Sequence, residues 1–424
     1  MKKNDLVYET YKEILKEELV PAMGCTEPIA IAYCASKLRD TLGNYPSEIE
    51  IHVSGNIIKN VKSVTVPNTN GKHGIKAAVC IGIVAGNSNK ELEVIVGAKK
   101  EDIDKLDEYM NNVNFSLYPK ETSHTHYIEI KGKYLNDEAR VIIRDSHTHI
   151  YLIEKNGVEL YKNEVEVKKN TSNLDKSLLK IKDIIEFADL LDIEDVKETL
   201  DRQIEYNMNI ANEGLNNKYG ANIGKTILKY GGNDIVQYCK ALAASGSDAR
   251  MNGCEMPVVI NSGSGNQGIT ASVPVIAYHS RLNLDKEVLY RALVVSNLCT
   301  IHIKNNIGKL SAYCGVVIAG AGCGAGICYL EGGKLNEIAH TLVNALAIIS
   351  GVVCDGAKSS CAAKIASSVE AGIFGYYMFK EGNEFVGGEG IVKKGVENTI
   401  KAVGDLARVG MCETDKEIIY IMTH

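Results

Sequence analysis

Tryptophan is absent from this 424-residue chain and phenylalanine occurs only 5 times. Its cores are therefore expected to be aliphatic and closely packed, with no aromatic platforms for stacking bases. An excess of positive charge is missing too. The formal net charge is −6, the pI is near 6.0 and no basic stripe runs along the chain, which argues against a nucleic-acid partner. A secretory signal is not seen, because the opening MKKNDLVYETYKEILKEEL is charged and helical in period. A cytoplasmic protein is the expectation, with its 12 cysteines as reduced thiols rather than a disulfide framework. Two runs, residues 312–330 and 338–353, approach the length of a membrane span. The glycine, alanine and cysteine content of the first fits a buried helix better, as do His340, Asn344 and Ser350 in the second. No membrane partner is expected.

What is abundant is glycine, and it is unevenly spread: 10 of the 39 glycines precede residue 171, and 3 of the 12 cysteines do. A polar stretch at 164–176 (EVEVKKNTSNLDK) marks the change and reads as a linker. This predicts an α+β fold in two parts: a mixed α/β domain at 1–170 and an all-α domain at 171–424. In the first part, residues 8–19 and 74–85 read as helices. Residues 48–53 (EIEIHV) alternate as a strand does, and 61–66 continue in that manner. Further strands fall at 127–130 and 140–160, with Asn156-Gly157 as a hairpin turn. In the second part, helical periods cover 178–188, 193–212, 235–244, 286–304, 311–330, 335–353, 362–379 and 396–409.

Several stretches carry chemistry. In PAMGCTEP, Cys25 precedes Thr26, a candidate helix cap. A thiol there is either acidified by the helix N-terminus or a small buried group at a turn. VPNTNGKHG (66–74) and NSGSGNQG (261–268) are loops that present amides and hydroxyls to a carboxylate or phosphate, though either is also read as an ordinary turn. The second lacks the Gly-Lys-Ser/Thr of a phosphate loop. His124, His126, His147 and His149 form two His-x-His pairs, which on paired strands would gather imidazoles around a metal, but solvated or hydrogen-bonded histidines suit them equally. Cys354 and Cys361 flank a polar loop seven residues apart, after Cys314, Cys323 and Cys328. No zinc-ribbon spacing is present; an iron–sulfur cluster accepts ligands from separated loops.

PAMGCTEPIAIAY, VPNTNGKHGIKAA, SGSGNQGI, GKLSAYCGVVIAGAG, CDGAKSSCAAKIASS and GMCETDKEIIYIM together resemble the L-cysteine desulfidases, relatives of the iron–sulfur L-serine dehydratases. The resemblance spans nearly the whole chain. It implies a [4Fe–4S] enzyme without pyridoxal phosphate that converts L-cysteine to pyruvate, ammonia and hydrogen sulfide. Cys314, Cys354 and Cys361 would hold the cluster, with Cys323 or Cys328 as substitutes for Cys314. Cys25 would be the catalytic thiol, where the dehydratases have Ser-Ser-His-Thr. Asn261, Ser262, Gly263, Ser264 and Asn266, with Asn68, Thr69 and Lys358, would bind the amino acid. A homodimer is also expected. The alternatives are L-serine dehydration, a non-catalytic iron–sulfur or redox-sensing protein, and zinc held by the histidine pairs.

Overall fold

A computed structural model describes residues 1–3, 5–23, 26–124, 126–164, 174–308 and 311–423. The chain opens with α1 (Leu6–Glu18), β1 (Pro21–Met23) and α2 (Thr26–Leu42). Next come β2 (Glu48–Ser54), α3 (Gly55–Val61), α4 (Gly74–Ala85) and α5 (Lys100–Asn112). The strands β3 (Asn114–Lys120), β4 (Tyr127–Tyr134), β5 (Asp137–Arg144), β6 (Ile150–Lys155) and β7 (Val158–Lys162) follow. The helical part holds α6 (Ile181–Leu190), α7 (Lys197–Asn216), α8 (Ile223–Gly231) and α9 (Ile235–Met251). After β8 (Pro257–Val259) come α10 (Gly265–Leu282), α11 (Lys286–Ile307), α12 (Gly315–Leu330), α13 (Leu335–Ile349), α14 (Ser360–Lys380), α15 (Val396–Asp405) and α16 (Cys412–Thr423). The fold is α+β, as expected.

The sheet runs β3-β2-β4-β5-β6-β7, with β2 and β3 parallel and the other pairs antiparallel. In β2 the alternation turns Ile49, Ile51 and Val53 inward, where they meet α2 and α4 in one apolar core. Asn156 and Gly157 both have positive φ, 52° and 78°, which suits the tight turn between β6 and β7. Residues 61–66 are not a strand. Helix α3 runs through Val61, and the segment then turns into an isolated bridge from Thr65 to His73. Most of the stretch at 164–176 lies outside the described residues.

A second core is made by the helices, and α1 belongs to it rather than to the sheet. Tyr8 and Tyr11 pack edge-on against Phe187, with centroids 5.1 and 5.6 Å away. Strand β1 then pairs with β8, Ala22 opposite Val258. The glycines of α12 serve close approach: a Cβ on Gly320 or Gly324 would strike the backbone of α14 at Ser368 or Gly372. Almost every residue of α12 is buried in protein, and among the described residues no helix is long and apolar enough to cross a membrane.

Candidate functional site

Two chain segments that lead into and out of the helices pair briefly and bring two thiols side by side. Cys314 N–H donates to Val352 O at 3.0 Å, Cys354 N–H donates to Ala312 O at 2.5 Å, and Tyr313 bridges Val353. Cys314 immediately precedes α12 and Cys354 follows α13. Cys361, in the first turn of α14, is turned back on the same loop, its Sγ 3.5 Å from Gly356 O. The reversal depends on Gly356 at φ 93°, a left-handed conformation in which a Cβ would also run into the carbonyl of Lys59 on α3. The cysteine loop therefore rests on the sheet-bearing part, and Val64, Met251, Ala357 and Cys361 close a small apolar cluster across the junction.

Charge converges here. A hydrogen bond from the Cys314 thiol pulls the Cys354 thiol well below its ordinary range, against burial and with help from the Lys59 and Lys364 ammoniums. The same bond, and burial, push Cys314 up. Burial also raises Cys361, opposed by Lys358 and Lys364. Asp355 is held at about 2: burial alone would raise it, but Lys358 and Lys364 outweigh that. Lys364 Nζ reaches Asp355 Oδ1 at 2.5 Å and Val353 O at 2.8 Å, Lys358 pairs with Asp355, and Lys59 meets Asp415 at 2.5 Å. Lys304, in the last turn of α11, feels the charges of Cys354 and Cys314, and burial lowers its pKa. Four lysines thus surround three thiols.

Cys323 and Cys328 lie elsewhere. Cys323 is fully buried within α12 facing Cys239. Cys328, fourteen residues beyond Cys314 and about 21 Å along a straight helix, bonds to Thr341.

The polar loops spend most of their groups on their own shape. Asn261 is buried and donates from Nδ2 to Asn297 Oδ1 at 2.9 Å, while its Oδ1 accepts from Ser262 Oγ at 2.9 Å. Ser264 caps α10, accepting from Gln267 N–H at 3.4 Å. The Asn266 amide is taken up by Ser247, Arg250 and Met251. Gly263, at φ 77°, has open space where a Cβ would stand. In the earlier loop, Thr69 Oγ donates to Val66 O at 2.6 Å and Asn68 Nδ2 to Ile95 O at 3.0 Å. Gln267 differs. Its buried Oε1 has no hydrogen-bond partner among the described residues, and its amide lies 2.7 Å from where a Gly315 Cβ would stand, next to Cys314. It was overlooked in NSGSGNQG because it reads as the first turn of a helix.

Gly24 and Cys25 lie outside the described residues; Thr26 and Glu27, which follow, are described. Helix α2 begins at Thr26, whose Oγ1 meets His147 Nε2 at 3.0 Å, and Glu27 Oε1 accepts from Asn60 Nδ2 at 3.0 Å. The histidines sit in loops before β4 and β6, not on the strands. Only His126 and His147 come together, with ring centroids 4.4 Å apart. His124 turns to Asp145 and His149 to the Arg144 carbonyl. Among the described residues no group of three or more His, Cys, Asp or Glu is arranged to hold a single metal ion, so the pairs do not gather four imidazoles. Lys59 and Lys304 carry no local signal, being far from the cysteines in sequence; Lys364, one helical turn after Cys361, was findable by its spacing.

Residues 89–420 match the family Serine dehydratase alpha chain. Full-length likenesses accompany that match. A UPF0597 protein of Desulfitobacterium hafniense (strain Y51) is 56% identical over 423 residues, covering 100% of this chain and 98% of its own. A UPF0597 protein of Lachnoclostridium phytofermentans is 48% identical over 416 residues, covering 98% and 100%. Another, of Treponema denticola, is 45% identical over 421 residues, covering 98% of each. The chain that sets these three thiols among four lysines belongs to the serine dehydratase alpha chain family.

Proposed function

We propose that this chain is an iron–sulfur lyase that converts L-cysteine to pyruvate, ammonia and sulfide. The observation that carries the reading is the convergence of Cys314, Cys354 and Cys361 at one lysine-ringed junction. The donor set suits a [4Fe–4S] cluster: thiols from two separated segments, buried, with cations at hand to offset thiolate charge. A single ion is a poorer fit, as noted above. When bound, such a cluster with three protein thiolates leaves one iron free as a Lewis acid.

The remaining work falls to the chain. Cys25, which precedes Thr26 in sequence, takes the proton from Cα of the substrate as a thiolate. The electron pair left on Cα forms a double bond to Cβ while the C–S bond breaks and sulfur departs as hydrosulfide. The aminoacrylate released then tautomerises to an imine, which water hydrolyses to pyruvate and ammonia. Gln267 offers an amide beside Cys314, and Lys304 offers an ammonium to the substrate carboxylate. Lys358 is held by Asp355 and serves chiefly to balance charge.

A second reading, L-serine dehydration, is favoured by the name of the matched family. It needs the same groups and differs in the leaving atom. Anaerobic purification with iron and sulfide quantification, followed by parallel assays of sulfide from L-cysteine and pyruvate from L-serine, separates the two. Cys354→Ala is expected to abolish the visible cluster absorbance, and Cys25→Ala to keep it while losing turnover. Full activity in Cys25→Ala would rule out its role as base.

A further inference from the structure

The segment that carries Cys354 is held from two sides. On one side Tyr313 and Val353 stand opposite each other in an antiparallel bridge, closed by Cys314 N–H to Val352 O and Cys354 N–H to Ala312 O. In such a bridge the two opposed residues turn their own N–H and C=O groups away from each other. The pairing therefore leaves the Val353 carbonyl over, and Lys364 takes it from the other side. Its Nζ donates to Val353 O at 2.8 Å and to Asp355 Oδ1 at 2.5 Å. One ammonium thus grips the residue before Cys354 and the residue after it.

We propose that Lys364 is a positioning residue: by clamping Val353 and Asp355 it presets the direction of Cys354, so that the thiols are arranged before a cluster arrives. The inference rests on the reading of Cys314, Cys354 and Cys361 as cluster ligands, but both ends of the clamp are protein atoms and need no metal. The placement of Lys364 supports this role. It is the fifth residue of α14, whose first turn holds no acid, and the helix dipole disfavours a cation so near an N-terminus. It also follows Cys361 by three residues, so ligand and ammonium share one face of the helix. Lys358 brings the same charge to the same carboxylate, yet its other contacts are the Asp355 and Gly356 carbonyls of its own loop, at 3.3 and 3.4 Å. Of these two lysines, Lys364 is the one that ties the start of the loop to α14.

The test compares Lys364→Met, Lys364→Arg, Lys358→Met and Asp355→Ala in the full chain. Amide hydrogen exchange of the peptide spanning residues 350–357 is followed in the metal-free protein. Iron retention against a ferrous chelator is followed after anaerobic reconstitution. Lys364→Met is expected to speed exchange at least ~10-fold, the scale of a lost hydrogen bond to a charged group. It is expected to weaken iron retention about 10- to 100-fold, the scale on which groups that orient a ligand act. Lys364→Arg, which can bond both oxygens, recovers most of each. Lys358→Met removes the same charge but leaves exchange within ~3-fold of the wild type, the scale of an ion pair open to solvent. Asp355→Ala removes a charge of the opposite sign together with one end of the clamp. It is expected to speed exchange and shed iron as Lys364→Met does, which charge balance alone would not produce. Unchanged exchange in Lys364→Met, or equal losses in Lys358→Met and Lys364→Met, overturns the proposal. Should Lys364→Met fail to fold, Asp355→Ala set against Lys358→Met carries the same comparison. If the wild type holds no iron but exchange responds as stated, the cluster reading fails and the clamp stands.

Discussion

Gly356 bears two demands at once. Its φ of 93° suits glycine, and its missing Cβ lets the cysteine loop close on the Lys59 carbonyl. Gly356→Ala meets both objections: backbone strain of about 1–3 kcal/mol and a clash with backbone, which cannot swing aside as a side chain could. The expected result is a lower Tm together with reduced iron retention after anaerobic reconstitution. A variant with wild-type Tm and full iron would show that the loop closes without this contact. The position was visible in CDGAKSSC as a break in any continuous helix, but its partner was not. Lys59 lies about three hundred residues earlier in sequence, and only the folded chain brings it there.

Among the elements, those whose burial follows one simple period were readable. Helix α4 is found at the predicted 74–85 because its residues are apolar nearly throughout and bounded by glycine. Strand β2 and the β6–β7 turn followed from alternation and Asn-Gly. Residues 61–66 failed for a physical reason: the valines at 61, 64 and 66 point into a core from a helix end and a turn, which mimics alternation. Strands β1 and β8, three residues each, were too short to carry a pattern. The histidine loops went astray because burial outside a strand has no period at all. Their chemistry leaves a measurable mark nonetheless. Burial, and then His147, hold His126 at about 3 against an ordinary value near 6.5. The unfolded chain therefore takes up the proton first as pH falls. His126 costs nothing above about pH 7, and stability falls progressively from about pH 6.5 toward 3, at up to about 1.4 kcal/mol per pH unit. His126→Gln is expected to flatten that limb of a Tm-against-pH curve; an unaltered slope would assign the acid sensitivity to other groups.

At the scale of the whole molecule, the organisation is two cores with the cysteine loop at their contact. Lys59 joins three parts: its carbonyl meets Gly356, its ammonium faces Cys354, and its ion pair reaches Asp415 on α16. Helix α1 and strand β1 are built into the helical core, although they precede the sheet in sequence. A fragment of residues 26–164 keeps the sheet core intact and is expected to be soluble and folded by circular dichroism. A fragment of 1–164 adds a helix whose apolar face has lost its partners, and is expected to aggregate. Equal solubility of the two would mean that α1 finds another surface.

The same arrangement sets an order of events on the ribosome. Tyr8 and Tyr11 emerge first, yet Phe187, against which they pack, is synthesised some 176 residues after Tyr11. At ordinary elongation rates that is a wait of about 10 to 35 s. During it the sheet can complete itself, while the nascent α1 displays Tyr8, Tyr11, Ile14 and Leu15 with nothing to cover them. Helix α1 is thus made well before the residues that bury it, and its apolar face waits uncovered while the sheet forms.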